Sequence, residues 1–319
     1  MTVIGFHASH EQVHPTKLLE AVVLAEQAGF DAAMCSDHLA PWSERQGQSA
    51  FAWTWLGAAL QATSLRFGIV NAPGQRYHPA VIAQAIATIG AMYPGRFWAA
   101  LGSGEASNEH VTGEGWPSKD DRNARLEESA GIIRRLLTGE EVSHHGHVTV
   151  DRAKVWTLPA EPPPLIGAAV SAQTAGWVAG WADGLATVAG PTMRDVRQAY
   201  VDAGGTGPTV AQLHLSWAPT DDEALAIAHD QWRTNVFPPP ICWDLDSPQA
   251  FDDAAAHVTP EAMREHVAVS SDPAFHIARV EECLEAGFDE VYLHHVGQEQ
   301  TAFIETFGEH VLPGLRDSQ

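Results

Sequence analysis

A closed (β/α)8 TIM barrel of the α/β class is the fold this sequence predicts, and two observations carry the expectation. Short apolar runs of strand character, eight in all, alternate with helical patterns along the 319 residues. A segment near the start also returns near the end: Glu26-Gln27-Ala28-Gly29-Phe30-Asp31 recurs as Leu284-Glu285-Ala286-Gly287-Phe288-Asp289. Each copy closes a helix, caps it with glycine and opens a strand that runs into histidine, His38 in the first and His294-His295 in the last. First and last units in the same register suit a sheet closed on itself.

The elements follow in order. Thr2 to Ser9 reads as the first strand, and Pro15 suits the first position of a helix whose apolar face is Leu18, Leu19, Val22, Val23 and Ala25. Asp31 to Ser36 is the second strand; a loop over Pro41 to Gln48 leads to a helix from about Ser49 to Thr63. Leu65 to Asn71 is the third strand, Ala72 to Gln75 a turn, Pro79 to Met92 a helix and Arg96 to Leu101 the fourth strand. A helix from Asn123 to Leu137 precedes Glu141 to Trp156, whose alternation about His145-Gly146 predicts an inserted surface hairpin. Strands at Leu165 to Ala169, Gly184 to Ala189 and Thr209 to Ala218 are each followed by a helix, over Ser171 to Gly180, Thr192 to Ala203 and Asp221 to Arg233. A proline-rich insertion, Phe237 to His266, stands before the helix Pro273 to Ala286, the strand Glu290 to His295 and a closing helix, Gln298 to Val311. One domain over residues 1–319 is expected, with insertions at about 140–160 and 235–266, the second placed to act as a lid.

Composition narrows the partners. Forty acidic residues against eighteen Lys and Arg give a formal charge of -22, which argues against nucleic acid or an anionic membrane. The lysines are only Lys17, Lys119 and Lys154. No apolar run approaches the roughly 18 residues of a membrane span, and the start lacks the pattern of a secretory leader. Cys35, Cys242 and Cys283 are odd in number and without CxxC, which fits a reducing cytoplasm.

Catalytic groups of such barrels sit at the C-terminal ends of the strands, a rule that selects His7, Asp37, His38, Asn71, Glu105, His294 and His295. Ser36-Asp37-His38, with Trp42 close behind, brings a carboxylate, an imidazole and an indole to one strand end. Gly102-Ser103-Gly104-Glu105 lacks the third glycine of a dinucleotide fingerprint and reads as a tight turn presenting Glu105 and Asn108. The stretch from Gly167 to Thr174, rich in small residues, leads into a helix, an arrangement able to hold phosphate without lysine. His144, His145 and His147 straddle a hairpin turn without a carboxylate in ligand spacing, so no metal is expected.

At these residues the chain resembles the luciferase-like flavin/deazaflavin oxidoreductase superfamily, closest to the group of F420-dependent glucose-6-phosphate dehydrogenases. The motifs are Ala8-Ser9-x-Glu11-Gln12, Ser36-Asp37-His38 with Trp42, Arg76-Tyr77-x-Pro79-Ala80-Val81, Gly104-Glu105-Ala106 with Asn108-Glu109, and Ser271-Asp272-Pro273. The resemblance implies coenzyme F420 across the barrel mouth, hydride transfer at its C5, and His38 and Glu105 as acid and base with Trp42 and Glu11 in support. It implies cofactor contacts from Asp37, Val70, Asn71, Ser103, Gly104, Asn108, Val170, Ser171, Gln173 and Thr174. A non-prolyl cis peptide near Ile69-Val70 and a homodimer follow from it as well.

The chain departs from the sugar-phosphate enzymes where they hold the substrate phosphate with a threonine, two lysines and an arginine. The corresponding positions are Val188, Pro191, Cys242 and His266, with Trp243 replacing a histidine. A substrate other than glucose 6-phosphate is therefore expected, in a pocket of Val188, Trp243 and His266 with Trp42 and Trp53 adding apolar surface. Two other readings stay open: FMN in place of F420, as a monooxygenase or reductase, and a non-catalytic flavin-binding or partner subunit.

Overall fold

A computed structural model describes residues 2–317. Eight parallel strands form the barrel: β1 Val3–Ala8, β2 Ala32–Ser36, β3 Arg66–Asn71, β4 Phe97–Leu101, β5 Leu165–Ala168, β6 Leu185–Val188, β7 Thr209–Ser216 and β8 Glu290–His295. Each pairs with the next, and β8 returns to β1 through Val3↔Glu290 and Phe6↔Leu293, which closes the sheet. Glu26 to Asp31 and Leu284 to Asp289 thus enter neighbouring strands, the physical basis of the repeat. Gly29 and Gly287 both adopt positive φ, 99° and 91°, as helix-ending glycines do.

The lower part of the barrel is plugged. Trp98 and Tyr292 meet edge to face at 6.0 Å in its interior, with Met34, Ile166 and Val210 around them. Any side chain at Gly5 would strike the Tyr292 ring, and any at Gly68 the Trp98 ring, so these glycines make room for the plug. What remains open lies above it, at the strand C-terminal ends.

Boundaries differ in instructive places. The helix expected from Asn123 begins at Lys119, because Ser118 caps it by accepting the Asp121 N–H and acidic residues suit a first turn; that turn carries no apolar periodicity to read. The hairpin forms as expected from Val142–His145 and Thr149–Ala153. The closing helix starts at Thr301, passes through a π-helical turn at Phe307–Val311 and extends to Asp317. The second insertion folds into the short helices Ile241–Asp244 and Pro248–Ala254, then a turn at Glu261–Glu265, and rejoins the sheet where Ala268–Val269 pairs beside β7.

The cis peptide expected near Ile69-Val70 is not formed. The ladder continues undisturbed through Ser36↔Val70 and Asn71↔Leu101, and among the described residues only Pro239-Pro240 is cis.

Candidate active site

One cavity of about 280 Å³ opens above the plug. Its first corner is made by the loop after β1 and the end of β2. Glu11 is almost fully buried there, and its carboxylate accepts from Ser9 Oγ at 2.8 Å, Ser36 Oγ at 2.8 Å and His38 Nδ1 at 2.6 Å. Burial alone would make Glu11 harder to ionise, but the His38 charge and these donors hold its carboxyl well below the usual range. His38 is partly buried, which opposes its protonation, yet the Glu11 carboxylate and the more distant Glu105 raise its pKa above the ordinary histidine value. With Nδ1 committed to Glu11, Nε2 is the nitrogen left for a ligand. Trp42 stands edge-on to the His38 ring at 5.0 Å and is backed in turn by Phe251 of the second insertion at 5.3 Å.

A second wall comes from β2, β3 and β4. Asp37 accepts from Asn71 Nδ2 at 2.8 Å and Tyr77 OH at 3.2 Å, while the Arg76 guanidinium donates to its backbone carbonyl. Asn108 Oδ1 accepts the N–H groups of Leu39 and Ala40, at 2.8 and 3.1 Å, which ties the loop after β4 to the loop after β2. These bonds fix the sense of both amides, so Asn71 is left with a free acceptor, Oδ1, and Asn108 with a free donor, Nδ2. Both atoms are buried without a protein partner, and both residues line the cavity. Gly104 has φ 77°, and a Cβ there would press on Glu109 at 2.8 Å, so the turn presenting Glu105 requires glycine. Glu109 bonds Arg76, although burial outweighs that and lifts its pKa to about 6.

The floor is a ring of neutral polar groups. His294 Nε2 donates to Gln12 Oε1 at 2.8 Å, because the Gln12 amide nitrogen is spent on the Val296 carbonyl. Gln212 Nε2 lies 3.1 Å from His294 Nδ1 and 3.2 Å from His214 Nε2, and donates to both. The partners of His294 and His214 therefore ask for a neutral imidazole, and burial agrees: His214 falls to about 4 and His294 well below its ordinary value, while at His7 burial outweighs the Glu11 charge and brings the pKa to about 3.

Most of the expected site residues meet in this cavity. Glu11, Asp37, His38, Trp42, Val70, Asn71, Ser103, Gly104, Glu105, Asn108, Val170, Thr174, Val188 and Trp243 all line it. Others do not reach it. Ser171 caps the short helix Ala172–Val178 by accepting the Thr174 N–H, and Gln173 is exposed beside it. His266 is exposed because the turn before it drives Met263 into an apolar cluster with Trp232 and Val267. Trp53 is buried against Phe97, between helix and sheet. His295 stacks on Phe303 at 4.9 Å, away from the cavity. The lining also holds residues the sequence reading passed over, among them Lys119, Gln212, His214 and Trp232. Gln212 and His214 sit two apart near the end of a strand, a signal that period-2 alternation could have supplied.

The comparisons with known proteins agree on one family. A profile described as luciferase-like monooxygenase matches residues 1–290. The chain belongs to the luciferase-like family. An F420-dependent glucose-6-phosphate dehydrogenase of Nakamurella multipartita is 35% identical, over 98% of this chain and 96% of its own. An F420-dependent hydroxymycolic acid dehydrogenase of Mycobacterium tuberculosis is 34% identical, over 98% and 88%. Among solved structures, an F420-dependent secondary alcohol dehydrogenase in complex with an F420-acetone adduct superposes with a TM-score of 0.91 at 31% identity, covering 99% of both chains. In this member of the luciferase-like family, Glu11, His38 and Glu105 all line one cavity.

Proposed function

We propose that this protein is an F420-dependent oxidoreductase acting on an alcohol or the matching carbonyl compound. The observation that carries the reading is the shared cavity: a Glu11–His38 pair able to move a proton faces the same space as the two orphaned amide atoms of Asn71 and Asn108. A flat heterocycle with one N–H and one carbonyl on its edge would satisfy both atoms, which a deazaflavin ring offers. Val70, Ala72, Ala168 and Ala169 add apolar surface against its faces. Bound there, coenzyme F420 would accept or supply the hydride.

The chain's own part is proton handling and water exclusion. Glu11 orients His38, fixes the proton on Nδ1 and leaves Nε2 as base toward a substrate hydroxyl. In the opposite direction, the raised His38 pKa keeps a proton available for the forming alkoxide. Glu105 lines the cavity without a hydrogen bond to another side chain among the described residues, in position to serve as the second acid–base group. Trp42 and the insertion behind it shield the pair from solvent. Lys119 is the one Lys or Arg in the lining, so a doubly charged sugar phosphate is poorly matched here.

The test is direct. F420 should quench the tryptophans of the cavity at lower concentration than FMN, and F420 should be turned over with a secondary alcohol or its ketone. Glu105→Gln should lower turnover by roughly 100-fold or more with F420 affinity nearly unchanged. Tighter binding of FMN than of F420 would overturn the cofactor assignment.

A further inference from the structure

The lysine-poor chain places one of its three lysines in the active-site cavity. Lys119 begins the helix Lys119–Leu137, and its ammonium donates to Ser103 Oγ at 2.7 Å while lying 4.8 Å from the centre of the Trp243 ring. No carboxylate forms an ion pair with it among the described residues, although the protein carries an excess of acid. Arg122, one turn on, is buried and stacks on Trp116 at 3.9 Å, with Trp243 at 6.0 Å. Its Nε and Nη1 have no partner. Trp116 is tied to the second insertion by a 2.9 Å bond from its indole N–H to Asp244.

Two cations on one helix face, at a helix N-terminus and largely out of water, are an unfavourable arrangement until an anion joins them. The charged and titratable groups around them are few: Glu105 after β4, Cys242 and Asp244 on the insertion. None bonds to either cation. Asp121 is spent on Ser118, and Asp120 is exposed. We propose that Lys119, reinforced by the positive field of Arg122 and walled by Trp243, is an anion site at the edge of the cavity that receives a carboxylate of a molecule bound there. The inference rests on the oxidoreductase reading only for the identity of that molecule. A hydroxy or keto acid substrate supplies such a carboxylate, and so does the glutamyl tail of F420. The site suits one carboxylate better than a dianion, because a single lysine faces the cavity. Burial and the neighbouring Arg122 lower the Lys119 pKa to about 8, so affinity for the anion should fall as pH rises through that value.

Three measurements test it, each on wild type, Lys119→Gln and Lys119→Arg. Tryptophan fluorescence of the cofactor-free protein is titrated with 3-hydroxybutyrate and, as the neutral control, with 2-butanol. F420 binding is compared with that of the same deazaflavin ring bearing only its ribityl chain. With F420 present, kcat/KM is compared for the hydroxy acid and the alcohol. The expected result is a loss of about tenfold or more in Lys119→Gln for a carboxylate-bearing molecule, none for its neutral partner, and recovery in Lys119→Arg. Loss with 3-hydroxybutyrate assigns the site to substrate, and loss confined to F420 assigns it to the cofactor tail. Carboxylate-bearing and neutral ligands that are all unaffected by Lys119→Gln would overturn the anion site. A protein that binds 3-hydroxybutyrate through Lys119 but neither deazaflavin would keep the site and overturn the proposed function instead.

Discussion

Two imidazoles facing one cavity, His38 and His294, are driven in opposite directions. His294 is fully buried and His38 partly so, and loss of water pushes both toward the neutral form. His38 has a carboxylate 2.6 Å from Nδ1 and ends above its ordinary pKa; His294 has two glutamine amides and ends far below it. The difference teaches that the nearest partner, rather than depth, decides which histidine can exchange a proton near neutral pH. The Glu11 corner therefore favours a charged imidazole, and the floor of His7, His214 and His294 a neutral one.

Removing the carboxylate should make the two regions alike. Glu11→Gln is expected to bring the His38 pKa below 6.5 by NMR titration and to lower turnover by roughly 100- to 1000-fold. It also deprives a buried charge of its partner, a loss on the order of 3 kcal/mol in denaturant unfolding at a pH where His38 stays charged. An unshifted His38 resonance would separate Glu11 from the proton chemistry.

Acid should separate the regions by stability. For His7, at about 3, and His10, His214 and His295, at about 4, the folded pKa lies below the unfolded value near 6.5. The unfolded chain then binds more protons, so their contribution is present above pH 6.5 and is lost as pH falls toward 4. Each such histidine steepens the loss by about 1.4 kcal/mol per pH unit within that window. His38 works the other way: its raised value stabilises the fold below its unfolded pKa, and that gain disappears as pH rises through its folded pKa. A thermal midpoint flat from pH 7 to 4 would contradict the neutral floor.

The smallest expected effect sharpens the comparison from the other side. Gln12→Glu places a carboxylate on His294 Nε2 and should raise the His294 pKa, with a stability cost because the Gln12 bond to the Val296 carbonyl is lost. An unchanged His294 would show that its neighbours, His7 and His214, outweigh a new charge.

How much of this was legible in the chain depends on the kind of contact. Asp37, His38 and Glu105 were readable because they lie at or just beyond strand ends, and the barrel sends such residues to one mouth, whereas Glu11 was legible only through the family motif Ala8-Ser9-x-Glu11-Gln12. His266 was misplaced because its position was inferred by correspondence, while the turn that buries Met263 exposes it. Lys119 was passed over because it sits in a polar first turn, where no periodicity points to a destination. The trans bonds of β3 also lay outside what residue identity could fix, since the paired ladder on both sides holds that backbone.

By itself the sequence determined the barrel, the two insertions and the polar residues at the strand ends, because alternating patterns and glycine caps are local and repeat along the chain. Only the tertiary structure decided which histidine is driven toward the charged form, which amide atoms are left free and where Lys119 ends. Those outcomes depend on groups distant in sequence, such as Glu11 and His38, Gln12 and His294, or Lys119 and Trp243, whose separation in space is set by closure of the sheet.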